Sequence, residues 1–146
     1  MLPPDDVFFM KKALEEARQA AAQGEVPVGV VVVAQGQIIA RGHNLTETLN
    51  DVTAHAEMQA ITAAANHLGG KYLQDCTLYV TLEPCSMCAG ALYWSQLGRL
   101  VFAAEDKDRG FRKHQTPLHP KTNVIYGVCA EESSELIQQF FRNKRA

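Results

Sequence analysis

The chain has 146 residues, 47% of them apolar and 21% charged, with a formal net charge of −2. That is a globular composition, long enough for one domain over residues 1–146 with a true core, and it is neither disordered nor fibrous. A strongly basic nucleic-acid footprint is absent, and the longest apolar run, Val28 to Ala34, is too short to span a bilayer.

Residues 5–23 carry Val7, Met10, Ala13, Leu14 and Ala17 at helical spacing, and Gly24 is placed to stop that helix. "VGVVVV" and "QIIARG" are β-branched runs around "AQGQ", which reads as a hairpin with Gly36 in the turn. "TAHAEMQAITAAANHLGG" is a helix that Thr53 can cap and Gly69-Gly70 ends, with Met58, Ile61, Ala65 and Leu68 on one face. "TLYVTLE" alternates as a strand, and Pro84 suits the first position of a helix through "CSMCAGALYWSQ". "RLVFAA" and "NVIYGV" are two further strands, and "EESSELIQQFFRNKR" is a closing amphipathic helix. Between those strands, Lys107 to Lys121 has two prolines and no periodicity, a loop of a length that is uncommon unless functional. Strands alternating with helices predict an α/β fold, a central sheet covered by helices on both faces. The opening "MLPPDD" has no basic stretch leading into an apolar one, so no secretory signal is read and a cytoplasmic protein with reduced thiols is expected.

The chemistry concentrates in "PCSMC". Cys85 and Cys88, three apart at a helix start, lie on one side of that helix and can grip one metal. Catalytic zinc takes three thiolate or imidazole ligands and leaves one position for water. His55 in "TAHAE" offers the third ligand, with Glu57 two residues on. In a regular helix those two side chains diverge, so they could share a site only where the helix is just starting. A thioredoxin-like redox pair would leave His55 and Glu57 without a role. A closed structural site would need a fourth ligand, and Cys76 sits at the far end of its strand from Pro84. Cys76 and Cys129 read as small buried hydrophobes.

H-x-E followed by P-C-x-x-C is the known signature of zinc nucleobase deaminases, matched here by "HAE" and "PCSMC". Over roughly residues 6–110 and 122–145 the chain resembles the bacterial tRNA-specific adenosine deaminases of the cytidine/deoxycytidylate deaminase superfamily. The stretches carrying the resemblance are "GEVPVGVVVV", "ARGHN", "TAHAEMQAI", "LYVTLEPCSMCAGAL" and "FFRNKR". It implies a three-layer cytidine-deaminase-like fold with a mixed sheet of about five strands. It also implies a zinc-dependent homodimer that converts adenosine to inosine at the wobble position of a tRNA anticodon loop. In that family the zinc is held by the positions of His55, Cys85 and Cys88, and Glu57 moves protons between water, ring nitrogen and departing amine. The resemblance further places Asn44 on the target nucleoside and Val26, Pro27 and Val28 in an apolar pocket wall. It puts Asp106 near the ribose and the neighbouring nucleotide, and Phe140 and Arg142 on the anticodon loop.

Phosphate contacts are expected from Lys107, Arg109, Arg112, Lys113, Arg142, Lys144 and Arg145. One segment departs from the family. After "EDKDRG", "FRKHQTPLHPKT" replaces the usual turn and apolar helix, which leaves the direction of the last strand and the RNA contacts on that side open. The alternative substrate is a free base, as in guanine deaminases, which are similar in "NDVTAHAE" and "GALYW". A non-catalytic zinc-stabilised RNA-binding protein of the same fold is a lesser alternative, opposed by the presence of Glu57.

Overall fold

The computed structural model describes residues 4–145. In chain order these form α1 (Pro4–Ala22), β1 (Gly29–Ala34), β2 (Gln37–His43), α2 (Ala56–Leu68) and β3 (Cys76–Leu82). They continue with α3 (Ser86–Trp94), β4 (Arg99–Ala104), β5 (Asn123–Tyr126) and α4 (Ala130–Arg145). The strands make one mixed five-stranded sheet in the order β2-β1-β3-β4-β5. β1 is antiparallel to both β2 and β3, whereas β3, β4 and β5 run parallel. The β1–β2 turn has Gln35 at φ 52° and Gly36 at φ 76°, the left-handed pair that a tight hairpin needs.

Strand alternation sorts the core into two layers. Val30, Val32, Leu78, Val80, Leu100 and Phe102 pack under α2 and α3. Their neighbours Val31, Val33, Tyr79, Val101 and Ala103 pack on the opposite face with Phe9, Met10 and Ala13 of α1. The result is the three-layer α/β arrangement expected, with β1 and β3 central.

Two predicted faces differ in detail. Val7 is 43% exposed, because the first turn of α1 turns Asp6 inward instead. On α2 the buried residues are Ala56, Glu57, Ala60 and Ala64, while Met58, Ile61, Ala65 and Leu68 flank or leave the contact. Small residues win because α2 lies very close to the sheet. A Cβ on Gly42 of β2 would stand 2.8 Å from the Ala56 carbonyl oxygen, so only glycine permits this approach.

Asp6, 1% exposed, is gripped by Arg99 at the start of β4 through bonds of 2.9 and 2.6 Å, and accepts a third from Tyr79 Oη at 2.7 Å. The Arg99 guanidinium holds this carboxyl below its ordinary range against the opposing effect of burial. A depressed folded value means the stabilisation is complete above the unfolded pKa of about 3.9 and is lost as pH falls through the folded one. Asp6→Asn is therefore expected to cost about 3 kcal/mol at neutral pH, since it strips a mostly buried Arg99 of its partner. Urea titrations of both proteins at neutral pH and near pH 3 read this, and the gap between them should shrink at the acid end. An equal gap at both would contradict the assignment.

The last connection resolves the direction left open by sequence. β5 pairs parallel with β4, Arg99 opposite Asn123 and Phe102 opposite Tyr126. Parallel neighbours need a long crossover, usually a helix. Here residues 105–122 cross without one, as turns anchored by Phe111, which is 6% exposed and joins the core beneath α2 and α3.

Candidate active site

β3 runs toward Pro84, and the chain then turns into α3 beside the start of α2. Each helix begins on a residue of the expected ligand set. His55 is the N-cap of α2 at φ −69°, ψ 157°, and Cys85 the N-cap of α3 at φ −74°, ψ 175°. Thr53, expected to cap α2, is instead bound by Asp51 Oδ1 through its amide and its hydroxyl, both at 2.8 Å. Pro84 likewise stands one residue outside α3, because Cys85 is still extended. Those extended residues answer the H-x-E problem: His55 precedes the helical repeat, so its ring and the Glu57 carboxyl face one space.

His55 Nδ1 lies 3.6 Å from Cys85 Sγ and 3.6 Å from Cys88 Sγ. All three ligand atoms fall within 4.8 Å of one another. Tetrahedral zinc, with Zn–S of about 2.3 Å and Zn–N of about 2.0–2.1 Å, sets N and S about 3.6 Å apart. The donor set and its spacing therefore fit zinc with one position open. Cys76 does not join this group, which removes the closed four-ligand alternative.

The electrostatics agree. Cys85, at the N-terminus of α3, is held well below the ordinary thiol range, chiefly by a hydrogen bond from the Cys88 thiol. Cys88 is pushed up correspondingly, by that bond and by burial. A divalent cation held between the two sulfurs would displace the thiol protons. His55 is raised, first by its bond to Cys85. Glu57 is 4% exposed, and burial pushes its carboxyl up to about 7, a range in which it can both take and return a proton.

The cluster opens into a cavity of about 230 Å³ walled by His55, Glu57, Cys85, Asn44, Val26 and Val28. That is below the roughly 300–1,000 Å³ of drug-sized pockets and suits a single heterocyclic base. A larger depression along the outer side of α2, about 860 Å³, contains none of the ligands.

Residues 5–145 match the model of the MafB19-like deaminase family. A tRNA-specific adenosine deaminase of Aquifex aeolicus is 46% identical over 144 residues, covering 94% of this chain and 95% of the relative. The chain belongs to the tRNA-specific adenosine deaminase family. A solved chain from a study of A-to-I editing by tRNA:A34 deaminases at the wobble position superposes with a TM-score of 0.81 at 42% identity, covering 88% of this chain and 98% of that one. The guanine deaminase of Bacillus subtilis superposes at 0.67 with 37% identity, covering 93% and 92%.

The other residues that family resemblance singled out are spread more widely around this deaminase. Asn44 is 8% exposed and lines the cavity; its amide donates to the Val28 carbonyl, and among the described residues no hydrogen bond holds its side chain. Asp106 also lines the cavity, with Oδ1 accepting from the amides of Asp108 and Arg109 at 3.2 and 3.0 Å. Val26 and Val28 line the cavity, whereas Pro27 is buried and is not part of its lining. Phe140 turns from the cavity toward Ala21 and Lys144. Its neighbour Phe141 lines a second groove that shares Val26, Leu82, Asp106 and Arg109 with the cavity wall. Arg142 is exposed and donates to Gln139 Oε1 at 2.9 Å.

Two buried carboxylates that order the loops around the site escaped the sequence reading. Glu25, fully buried, accepts bonds from the amides of Glu47 and Thr48 and from the Thr46 and Thr48 hydroxyls, fixing the loop that leads from Asn44 to His55. Glu83, 4% exposed, does the same for the loop after β4. Their signal was present as acidic residues inside otherwise apolar runs, "GEVPVG" and "TLEPC".

Proposed function

We infer that this protein hydrolytically deaminates adenosine to inosine at the wobble position of a tRNA anticodon loop. The observation that carries the reading is the convergence of His55, Cys85, Cys88 and Glu57 on a base-sized cavity, in a chain 46% identical to a tRNA-specific adenosine deaminase. Its cofactor is zinc, held by His55, Cys85 and Cys88. When bound, zinc supplies Lewis acidity that makes water nucleophilic near neutral pH.

The protein's own groups do the rest. Glu57 accepts a proton from the attacking water and delivers it to N1 of the adenine while the water oxygen bonds to C6. It then passes the second proton to the exocyclic amine, the C6–N bond breaks, ammonia leaves and a C6 carbonyl remains. Asn44 holds the target nucleoside, and Val26 and Val28, with the buried Pro27 between them in the chain, form the apolar side of the pocket and keep bulk water out. Asp106 borders the ribose. An anticodon loop presents its base already unpaired, so bringing it into so small a cavity costs less than opening a duplex.

One domain spanning residues 1–146 carries the activity, as a cytoplasmic homodimer. Trp94, 78% exposed, and Val52, 85% exposed, are large apolar side chains that such an assembly would cover. Among the described residues no helix is long and apolar enough to cross a membrane.

Zinc-loaded protein offered an anticodon stem-loop and free guanine in separate assays should deaminate the stem-loop with a far higher kcat/KM. The reverse preference would transfer the assignment to free bases. Asn44→Ala is expected to lower kcat/KM on the stem-loop by about 10²–10³ with the metal retained, since it removes a group placed on the substrate. A loss of less than about threefold would exclude Asn44 from that role.

A further inference from the structure

Arg112 lies in the helix-free crossover from β4 to β5, and a basic residue there invites a phosphate contact. The structure commits it elsewhere. Its Nε and Nη2 donate to the two oxygens of Glu83 at 3.0 and 3.1 Å, and Nη2 also donates to Glu105 at 2.9 Å. The guanidinium stacks over Phe102 and Tyr126, 5.0 and 4.6 Å from the ring centroids.

Glu83 itself ties together the two ends of the stretch 106–112, accepting from the amides of Asp106 and Arg112 at 3.1 Å each. From Asp106 the ordering continues, since Oδ1 takes the Arg109 amide at 3.0 Å. Between these points the loop is zipped to the chain that leads into Cys85. Phe111 donates to the Pro84 carbonyl at 2.9 Å, and Gly110 pairs with Cys85 in an isolated antiparallel bridge. The fit is tight: a Cβ on Gly110 would stand 2.4 Å from Glu83 Cδ and 2.5 Å from the Asp106 carbonyl.

We propose that the Arg112–Glu83 pair is a positioning clamp that stands in for the missing crossover helix, holding Asp106 and Arg109 at the cavity wall to receive the RNA beside the target base. A bidentate fork on a buried carboxylate suits this task, because it fixes orientation as well as distance. The inference rests on the tRNA reading for its ligand. Arg112 is a positioning residue, acting through Arg109 and Asp106.

The test is steady-state deamination of an anticodon stem-loop by zinc-loaded Arg112→Ala, Arg109→Ala and the double variant, with metal content measured on each. Arg112→Ala should raise KM about tenfold with kcat within about threefold and the metal retained. The double variant should be no worse than the weaker single, since both changes remove the same contact. Losses that multiply would mean that Arg112 meets the RNA itself, and they would overturn the clamp, as would an unchanged KM or a fall confined to kcat. Gly110→Ala keeps every charge but forces the loop off Glu83. It is expected to reproduce the KM rise, serves if Arg112→Ala does not fold, and a normal KM there also overturns the proposal. If the wild-type protein fails to turn over the stem-loop, the functional reading falls. The clamp is then read by amide exchange, which must be faster across residues 105–112 in Arg112→Ala or in Gly110→Ala for it to stand.

Discussion

Glu57→Ala will keep its zinc and its fold and will lose turnover by about 10³ or more. General acid–base groups contribute about 10²–10⁴, and here one carboxyl carries every proton transfer in the proposed reaction. The metal should be indifferent, because the ligand set closes on His55, Cys85 and Cys88 without it. Stability should not fall and could rise, since Glu57 is 4% exposed and burial works against its charged form. Glu57→Gln, with the same shape and no exchangeable carboxyl proton, should be equally inactive. Single-turnover kinetics beside metal analysis will decide; a variant retaining a tenth of wild-type activity would return the proton transfers to water or another group.

Cys88→Ala is expected to abolish metal binding as well as activity. Cys88 is fully buried on the first turn of α3 and is one of the three proposed protein ligands, so no solvent-borne group can readily take its place. Ligand binding to the native state stabilises it by RT ln(1 + [L]/Kd), about 4 kcal/mol at a thousandfold excess over Kd. The thermal midpoint of Cys88→Ala should therefore match that of chelator-treated wild type, and chelator should not lower it further. Stoichiometric metal in this variant would remove Cys88 from the ligand set.

The clustering of His55, Cys85 and Cys88 was legible because their spacing is chemical. Two thiols three apart at a helix start can serve one metal whatever surrounds them, and the sheet with its two helical layers followed from β-branched runs alternating with helical repeats. What spacing could not supply was the local backbone. His55 and Glu57 face one site only because His55 is the extended cap and not a helical residue, which is also why Thr53 lost that place. Nor does periodicity reveal how close two elements come: the buried face of α2 is alanine because Gly42 lets the helix down onto β2. Arg112 shows the same limit for charge. In sequence it is one basic residue in a basic cluster, while in the fold it lies between two carboxylates and two aromatic rings, set side by side by the parallel pairing of β3 with β4 and, for Tyr126, of β4 with β5.

The central claim is that this site exchanges the amine of one adenine for oxygen from water. The most direct measurement incubates zinc-loaded protein with an anticodon stem-loop in heavy-oxygen water and maps the product by mass spectrometry after nuclease digestion. The account predicts inosine at the wobble position alone, with heavy oxygen at C6, and none from Glu57→Ala. Unlabelled inosine, inosine scattered over other adenosines, or an unchanged stem-loop beside rapid deamination of a free base would contradict it.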